Sequence, residues 1–289
     1  SDRVMTSLEL EQKLSNNTDF KSYKTIAFVQ CVGSRNEKRP YCSRVCCTQS
    51  IKNAILLKQM DAGRQIYILY RDIRTYGMRE DLYRAARYMG IHFIRYNNDK
   101  TLQVTQNNDL IKLEFTDIVL RREMVIETQL LVLASAVIAE EKNSLVKLFK
   151  ISQNEDHFFA EAHVKLRPND FAIDGMFLCG IAHGPKTVGE SITQARAAAA
   201  RAVTVLSKKS VSLLGTVAYV DPTLCSQCSV CVSICPYYAP IFNLKTKKAQ
   251  IQHTLCKGCG LCVASCRSGA INLNGFETSE ILDMVKSIL

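Results

Sequence analysis

Eight cysteines near the C-terminus recur with a fixed spacing, and they constrain the fold more than any other feature of the 289-residue sequence. The pattern C-x2-C-x2-C-x3-C occurs in "AYVDPTLCSQCSVCVSICP" and again, 31 residues later, in "AQIQHTLCKGCGLCVASCR". Three thiolates at i, i+3 and i+6 on a tight loop can bind three corners of one 4Fe–4S cube. The fourth thiolate, four residues further on, faces away and reaches a second cube.

The predicted ligation is therefore crossed between the two repeats. One 4Fe–4S cluster is predicted to be held by Cys225, Cys228, Cys231 and Cys266. The other is predicted to be held by Cys256, Cys259, Cys262 and Cys235. Zinc is the alternative metal, but it favours two C-x2-C pairs separated by a longer insert, and two tandem runs of four cysteines fit it poorly.

Composition narrows the classes of protein further. The sequence has 13 cysteines, a formal charge of +10 and 47% apolar residues. It begins without a charged-then-apolar leader and has no apolar run of about 18 residues, so neither secretion nor a membrane span is predicted. Thiols in such a chain serve metal or redox chemistry rather than disulfides. Three clusters of about −2 each, thiolates included, would lower the charge to about +4, which makes nucleic acid a weak candidate partner.

The first half of the sequence alternates between strand-like and helix-like stretches. "TIAFVQCV", "QIYILYRDI" and "IHFIRY" are predicted strands, and residues 43–60 and "REDLYRAARYMG" are predicted helices. "LQVTQ" and "LIKLEFTDIVLR" follow as a predicted antiparallel meander. Alternating elements of this length indicate an α/β fold with a parallel, doubly wound sheet.

The loop after the first predicted strand carries cysteines where a dinucleotide site would carry glycines. Ligands of parallel sheets collect beyond the carboxyl ends of the strands, and a pyrophosphate needs several glycines there. The loop offers only Gly33, so nicotinamide binding is not expected, and it contains Cys31, Cys42, Cys46 and Cys47 instead. A 4Fe–4S cluster at the helix start would lie near the positive end of the helix. A zinc site or a set of buried thiols is the alternative, because the spacing is irregular.

Charged residues accompany this loop. Arg35, Lys38, Arg39 and Arg44 lie within it. The stretch "RDIRTYG" follows the second predicted strand. One interpretation is that it lines the site or a subunit interface, and the alternative is a solvated loop. Its polar residues are Arg71, Asp72, Arg74 and Tyr76. Cys179, which belongs to none of the three sets of four, lies in an apolar stretch and is predicted to be a buried thiol.

These stretches resemble a known family. "CVGSRNEKRPYCSRVCC", "IKNAILLK", "ILYRDIRTYGMREDLYRAAR" and "GIHFIRY" closely resemble the A-type subunit of heterodisulfide reductase and its bacterial relatives. "KLRPNDFAIDGMFLCGIAHGPKTVGESITQARAAAARA" is similar to the same family. The C-terminal repeats resemble the two-cluster bacterial ferredoxin domain, with Pro236 in its usual place and Arg267 instead of the second proline. That domain is a small α+β unit that acts as a one-electron wire.

The resemblance implies FAD and a third cluster. In this family a thioredoxin-reductase-like module binds FAD, and a cysteine loop carries a 4Fe–4S cluster beside it. The predicted ligands of that cluster are Cys31, Cys42, Cys46 and Cys47. The family places a lysine that matches Lys52 close to flavin N5, where a cation would stabilise reduced flavin; a solvated lysine is the alternative.

One departure from the family bears on the extent of the chain. The family's flavin domain opens with G-x-G-x-x-G, and this sequence has no such segment. The opening "SDRVMTSLEL" also reads like the middle of a domain. The chain is therefore predicted to be the C-terminal portion of such a protein, or a polypeptide whose first flavin-binding half comes from a separate chain.

The resemblance also implies a flavin-facing turn. "QLLVLASAVI" and "GMFLCGIAHGPK" are predicted to be strands that return to the flavin domain, and a helix is predicted to begin near Glu190. In thioredoxin-reductase-type proteins the matching turn contacts the ribityl chain and the pyrimidine edge, and the helix start presents N–H donors. Ordinary turn chemistry is the alternative for the glycines, and His183 has no evident carboxylate partner. The predicted contacts are Gly180, Ile181, Ala182, His183, Gly184, Pro185, Lys186, Ser191 and Gln194.

The predicted organisation has five parts. Residues 1–22 connect from the flavin domain, 23–125 form a Rossmann-like domain with the unusual cluster, 126–209 are the last segment of the FAD-binding domain, 216–274 are the ferredoxin domain, and 275–289 are a C-terminal helix.

The predicted function is that of a cytoplasmic oxidoreductase component of a heterodisulfide-reductase-like complex. It would pass electrons between FAD and three 4Fe–4S clusters, with flavin-based electron bifurcation as the finer hypothesis. Its predicted partners are the other subunits of the complex and electron-carrier proteins such as ferredoxin. The alternatives are a cluster-only wiring subunit whose flavin belongs to a partner, and a non-redox scaffold.

Overall fold

The computed structural model describes residues 3–96, 102–107, 109–140, 144–210 and 215–288. The chain divides into two compact units. The first comprises Ser1–Ile138 and Pro185–Gly189, and the second comprises Ala139–Gly184 and Glu190–Leu289. Each unit has its own hydrophobic core, so each is described separately.

The first unit is built on a five-stranded parallel sheet. The strands and helices in chain order are β1 (Val4–Thr6), α1 (Ser7–Ser15), β2 (Thr25–Val32), α2 (Cys46–Met60), β3 (Gln65–Tyr70), α3 (Glu80–Tyr88), β4 (His92–Arg95), β5 (Gln103–Asn107), β6 (Leu110–Asp117), β7 (Arg122–Thr128) and β8 (Leu130–Ser135). The sheet order is β1-β8-β2-β3-β4, and each neighbouring pair is parallel. Strands β5, β6 and β7 form a separate antiparallel sheet.

The alternation of side chains along β2 explains why the sheet is covered on both faces. Ile26 and Phe28 pack on one face, in a core to which α1, α2 and α3 contribute. Ala27 and Val29 pack on the other face, against the β5-β6-β7 meander. Because both faces are buried, β2 reads as a continuous apolar run, as parallel strands do.

The predicted α/β class with a parallel sheet is confirmed. The structure differs from a doubly wound sheet in one respect, because an antiparallel meander covers the second face instead of helices. The apolar side chains of β6 alternate inward, and a sheet with one apolar face can cover a parallel sheet as well as an amphipathic helix can.

Two segments lie elsewhere than the sequence predicts. The strand within "QLLVLASAVI" is predicted to return to a flavin domain, but β8 pairs with both β1 and β2 in the first unit. Residues 4–15 are predicted to belong to a connecting segment, but β1 is an edge strand of the same sheet, and Leu10 of α1 is fully buried in its core. The residues of each segment do not reveal which sheet it joins. Only the strand with which each one pairs shows that both belong to the first unit.

A buried arginine ties the first unit together at the end of α2. Arg64 is 2% exposed and donates to three backbone carbonyls, those of Tyr23 at 3.1 Å, Leu57 at 2.6 Å and Phe20 at 2.8 Å. The Leu57 carbonyl belongs to the last turn of α2 and also accepts from the N–H of the C-cap residue Asp61 at 3.3 Å. The guanidinium therefore joins the end of α2 to the segment that precedes β2.

The second unit contains a helical segment and the cysteine repeats. Its elements are α4 (Ser144–Phe149), α5 (Val188–Leu206), β9 (Ala218–Val220), α6 (Val230–Ile234), β10 (Pro240–Asn243), β11 (Lys248–Ile251), α7 (Leu261–Ala264), β12 (Ile271–Leu273) and α8 (Thr278–Lys286). The predicted strand in "GMFLCGIAHGPK" is replaced by an irregular stretch and a 3-10 turn at Gly180–Ala182. The strands of the repeats pair across them, β9 with β12 and β10 with β11. The predicted small α+β unit is confirmed.

Replacement of Arg64 tests how much this cation contributes to the stability of the first unit. Arg64→Met removes the hydrogen bonds to all three carbonyls, of which those of Leu57 and Phe20 keep a backbone partner, and we expect the free energy of unfolding to fall by about 3 kcal/mol, at about 1 kcal/mol for each hydrogen bond. Hydrogen exchange of the β2 amides should then accelerate by about 100-fold. Arg64→Lys keeps the charge and part of the hydrogen bonding, so its effect should be smaller. Wild-type exchange rates in Arg64→Met would contradict this role.

Candidate functional site

The first cysteine set begins where β2 leaves its regular pairing. The β2–β8 register shifts between Val29 and Val32, as at a β-bulge. Cys31 lies within this shift, is buried, and has a φ of 61°. A bulge re-aims a side chain relative to the strand, and non-glycine residues with positive φ are uncommon and cluster at functional sites. The end of β2 is therefore specialised at the first cysteine.

The loop between β2 and α2 is clamped to the segment after β8. Tyr41 Oη donates to the Val137 carbonyl at 2.9 Å, and the Val137 N–H donates to Ser43 Oγ at 3.0 Å. Within the same loop, Arg35 and Arg44 have φ values of 57° and 62°. These contacts hold Cys42 between two anchored residues, although the loop has no regular secondary structure.

The N-terminus of α2 supplies the last two thiols of the set. Cys46 and Cys47 form the first turn of this helix and are buried. The N-cap residue Val45 makes no side-chain capping bond, and the first turn has no acidic residue. The N-terminal N–H groups and the helix dipole therefore favour negative charge beside these thiols.

The four thiols influence one another's ionisation. A hydrogen bond with Cys47, and then burial, raises the pKa of Cys46, and the thiols of Cys31 and Cys42 raise it further. The bond from Cys46 outweighs burial at Cys47 and, with a backbone hydrogen bond from Arg74, lowers the pKa of Cys47 to about 7. Of the pair Cys46 and Cys47, Cys47 therefore ionises first, and the structure brings all four predicted ligands within electrostatic range of one another.

Arg44 connects this set to another predicted site residue of the first unit. Its backbone N–H donates to Cys42 Sγ at 3.3 Å. Its guanidinium donates to the Pro185 carbonyl at 3.3 Å and to Tyr76 Oη at 3.1 Å. Pro185 follows the predicted flavin-facing turn, so one arginine contacts both the cysteine set and the chain that leaves that turn.

In the second unit, two cavities divide the eight repeat cysteines between them. The lining of one cavity includes Cys235, Cys256, Cys259 and Cys262. The lining of the other includes Cys225, Cys228, Cys231 and Cys266. These are the two sets that crossed ligation requires. Each set takes its fourth thiol from the opposite repeat, so the donors suit 4Fe–4S clusters, whose ligation by these cysteines stays a prediction.

The backbones of the two repeats match at a period of 31 residues. Gln227 and Ser229 of the first repeat have φ values of 65° and 58°, and Gly258 and Gly260 of the second have 62° and 77°. Glycine is required for space at one of these positions, because a Cβ on Gly258 would overlap the Thr216 carbonyl oxygen. Both cysteine loops therefore curl in the same left-handed way, which turns successive thiols toward one cavity.

A single metal ion requires a different arrangement of ligands from that of a 4Fe–4S cluster. Among the residues that the structure describes, no group of three or more His, Cys, Asp or Glu side chains is arranged to hold one metal ion. A tetrahedral zinc ion, with Zn–S bonds of about 2.3 Å, draws its thiolates within about 4 Å of one another. A cube binds each thiolate at a separate corner instead.

The predicted flavin-facing turn contains a chain of hydrogen bonds. The Gly180 N–H donates to Gln194 Oε1 at 2.8 Å, which orients the amide. Gln194 Nε2 then faces His183 Nδ1 at 2.7 Å, and His183 Nε2 faces Glu161 Oε2 at 2.8 Å. His183 thus carries its proton on Nε2, and it has the carboxylate partner that the sequence did not reveal. Glu161 lies in an irregular segment 22 residues away, and no motif marks it.

The other predicted contacts of this turn lie in and around it. Gly180 and Gly184 have φ values of 68° and 149°. Ser191 lies on α5, and a Cβ on Gly180 would be in ordinary contact with its side chain at 4.0 Å. The helix begins at Val188, two residues before the predicted Glu190. Ile181, Ala182, Gly184, Pro185 and Lys186 continue the turn to the start of α5.

Lys52 lies on α2 as predicted and is paired with an acidic side chain. Its Nζ contacts Glu11 on α1, and Gln49 and Asn53 each donate to Glu11 at 3.2 Å. Burial raises the pKa of Glu11, but the hydrogen bonds from these three residues outweigh it and lower the pKa overall. The position of Lys52 relative to flavin stays a prediction. Its pairing with Glu11 had no sequence signal, because 41 residues separate the two.

The structure also bears on the predictions for Cys179 and for the cysteines as a whole. Cys179 is predicted from the sequence to be buried but is exposed, because its stretch is irregular and is not a core strand. No disulfide joins any of the 13 cysteines. None of the helices in the described part of the chain is long and apolar enough to cross a membrane.

Comparison with known proteins adds the family. A family model for a 4Fe-4S dicluster domain matches residues 218–272. The chain is 39% identical to the second A-type iron–sulfur subunit of the CoB–CoM heterodisulfide reductase of Methanopyrus kandleri, over 82% of this chain and 38% of that protein. It is 35% identical to the A-type iron–sulfur subunit of the CoB–CoM heterodisulfide reductase of Methanocaldococcus jannaschii, over 100% of this chain and 46% of that protein. The chain therefore spans less than half the length of these relatives.

A likeness to a solved structure concerns the fold. The thioredoxin reductase of T. acidophilum has a TM-score of 0.46 and is 11% identical, and the match covers 71% of this chain and 58% of that chain.

The matched family model and the two cysteine-lined cavities define the class of the C-terminal part, which is a 4Fe-4S dicluster domain. The sequence motifs predict a more specific relationship. The chain belongs to the family of A-type heterodisulfide reductase subunits, and that prediction is confirmed.

Gly258 offers a matched test of the cysteine loops. Gly258→Ala puts a Cβ into the Thr216 carbonyl, whereas Gly269→Ala adds a Cβ that has no atom within 4 Å. The φ values are 62° and 64°, so both variants carry similar backbone strain. We expect Gly258→Ala to lose about four irons, one cluster, in anaerobic metal analysis, and Gly269→Ala to keep them. Equal iron in the two variants would contradict the importance of this close approach.

Proposed function

We propose that the chain binds three 4Fe–4S clusters and transfers electrons in a heterodisulfide-reductase-like complex, next to FAD. The observation that carries the proposal is the sorting of eight cysteines into two cavities, each lined by one crossed set of four. A bound 4Fe–4S cluster supplies one-electron transfer at a potential that its surroundings tune. The chain's own part is to hold the thiolates, exclude water and compensate charge.

The first cysteine set supports a third cluster on independent grounds. Three of its thiols are buried, and the fourth, Cys42, accepts a backbone N–H from Arg44. An uncapped helix N-terminus stabilises the negative charge that four thiolates and a cube bring. A structural role alone would not require positive φ at Cys31 and Arg35, since strained backbone is retained where function needs it.

The flavin part of the proposal rests on the turn before α5. FAD supplies two-electron exchange and can pass electrons on singly. Gly180 offers a backbone that a flavin ring can approach closely, and the Glu161–His183–Gln194 chain holds the turn and keeps one proton on His183 Nε2. Lys52 would contribute a cation whose charge Glu11 partly balances. Electron bifurcation is the finer form of this hypothesis.

A specific observation favours a second candidate, a cluster-only wiring subunit. The 289 residues contain no G-x-G-x-x-G segment, so the pyrophosphate-binding half of a flavin site would come from outside this sequence. In that case the residues of the turn before α5 contact a flavin that a partner holds. The proposed partners are the remaining subunits of the complex and an electron carrier such as ferredoxin, and the proposed compartment is the reducing cytoplasm, where thiols stay free.

Iron analysis tests the three-cluster proposal. The chain, reconstituted anaerobically with iron and sulfide, should contain about 12 irons, four per cluster. Cys42→Ser should retain about eight irons, because only the first set loses a ligand. Cys179→Ser is the matched control, since Cys179 belongs to no set, and it should retain all of them. About eight irons in the wild type, or stoichiometric zinc, would contradict the proposal.

Flavin analysis separates the two candidates. The chain is purified alone and together with the polypeptide that supplies the first flavin-binding half, and flavin is released with acid and measured by fluorescence. One flavin per chain in both preparations supports binding by this chain. Flavin only in the joint preparation supports the wiring subunit, and no flavin in either preparation contradicts both.

A further inference from the structure

Arg35 is the charged side chain that joins the first cysteine set to the loop after β3. Its Nη2 donates to Asp72 Oδ2 at 2.7 Å. Its Nη1 is buried and has no hydrogen-bond partner among the described residues. The residue that it binds lies against the cysteine set, because Cys47 Sγ is 3.7 Å from the Asp72 carbonyl oxygen, and the Arg35 side chain opposes the rise in the pKa of Cys31 that burial and Cys47 cause. One donor of Arg35 is thus committed, and another is available beside a predicted cluster ligand.

The position of Arg35 is fixed by its backbone as well. Its N–H donates to the Tyr41 carbonyl at 3.2 Å, and its carbonyl accepts from Arg71 Nη1 at 2.5 Å. The residue has a φ of 57°, a conformation that costs energy for a non-glycine residue. A long, flexible side chain would ordinarily extend into water, but that of Arg35 is only 21% exposed. The surrounding structure therefore holds this guanidinium against the thiols.

Asp72 shares its single negative charge among three arginines. Arg35 is the nearest at 2.7 Å, and Arg95 and Arg74 lie at 3.5 Å and 3.7 Å. The hydrogen bond from Arg35 lowers the pKa of Asp72, so the carboxylate stays ionised at neutral pH. One carboxylate cannot neutralise three guanidinium groups, and a net positive charge remains beside the cysteine set.

The other donors that reach these thiols belong to the backbone. The Arg44 N–H donates to Cys42 Sγ, and an Arg74 backbone N–H contributes to the ionisation of Cys47. Hydrogen bonds and positive charge at cluster sulfurs favour the state with more negative charge, which is the reduced state. Among the described residues, Arg35 and Arg74 act on these thiols through side-chain charge, and a substitution of Arg35 removes its contribution without changing the backbone.

We propose that Arg35 raises the reduction potential of the cluster held by Cys31, Cys42, Cys46 and Cys47, and that Asp72 limits this increase. The inference rests on the proposed function of the first cysteine set. Reduction adds one electron beside a guanidinium that stays protonated in both states, so no proton transfer accompanies it. Removal of the cation and removal of its carboxylate partner must then shift the potential in opposite directions.

The test is an anaerobic redox titration of the reconstituted full chain, followed by the EPR signal of this cluster. Arg35→Gln should lower the reduced-to-oxidised ratio at a fixed potential by about tenfold, which is 59 mV for one electron. Asp72→Asn should raise the ratio. Lys38→Gln is the matched control, because Lys38 is an exposed cation of the same loop, and its ratio should change less than twofold. Iron content is measured on every variant.

The outcomes distinguish this inference from the proposed function. A wild-type chain without iron in the first set removes the proposed function itself. A wild-type chain with 12 irons, about four per cluster, and an unchanged potential in Arg35→Gln overturns only the role of Arg35, as does an equal shift in Lys38→Gln. If Arg35→Gln does not retain its iron, Asp72→Asn decides: a higher potential supports the proposal, and an unchanged or lower potential overturns it.

Discussion

The geometry at the carboxyl end of β2 is the constraint on which the first cysteine set depends. The pairing of β2 with β8 is regular up to Val29, shifts before Val32, and closes with a bond from the Ala136 N–H to the Val32 carbonyl at 2.8 Å. Cys31 lies inside that shift. Core packing on both faces fixes the position of β2. The loop that follows is fixed as well, because Tyr41 and Ser43 are hydrogen-bonded to Val137. Rigid placement of ligands keeps reorganisation small when charge changes.

The repeat loops and the first cysteine set each bring four thiols together, but different residues fix the backbone in the two cases. The repeat loops are symmetric and use glycine at Gly258, where a side chain does not fit. The first set is unique in the sequence and uses left-handed non-glycine residues, held by side-chain bonds from Tyr41 and Ser43. A helix N-terminus lies at cysteines of both kinds of site, and the first set also has an Arg35–Asp72 ion pair beside it. The basic composition of the chain therefore has a local purpose beside buried negative charge.

Sequence reasoning was strongest where the pattern is local. The spacing of Cys225 to Cys266 predicts a dicluster domain, and a family model for that domain matches the same residues. The strands β2, β3 and β4 and the helices between them follow from apolar periodicity. Reasoning failed where the information is non-local: β8 reads as an apolar strand, but nothing in its residues says that β1 and β2 are its neighbours. The Glu161–His183 and Glu11–Lys52 pairs were missed for the same reason, since no motif relates their positions.

The strand order has a consequence for biosynthesis. Strand β8 is the last strand of the first unit to be translated, yet it lies between β1 and β2, which have no direct pairing. A nascent chain that has exposed Cys31 to Cys47 therefore still lacks the strand that joins β1 to the sheet, and it lacks Val137, which anchors the cysteine loop. Non-local pairing of this kind forms late. The proposed cluster could therefore assemble on a finished loop only after the ribosome has passed residue 137, however early the four thiols emerge.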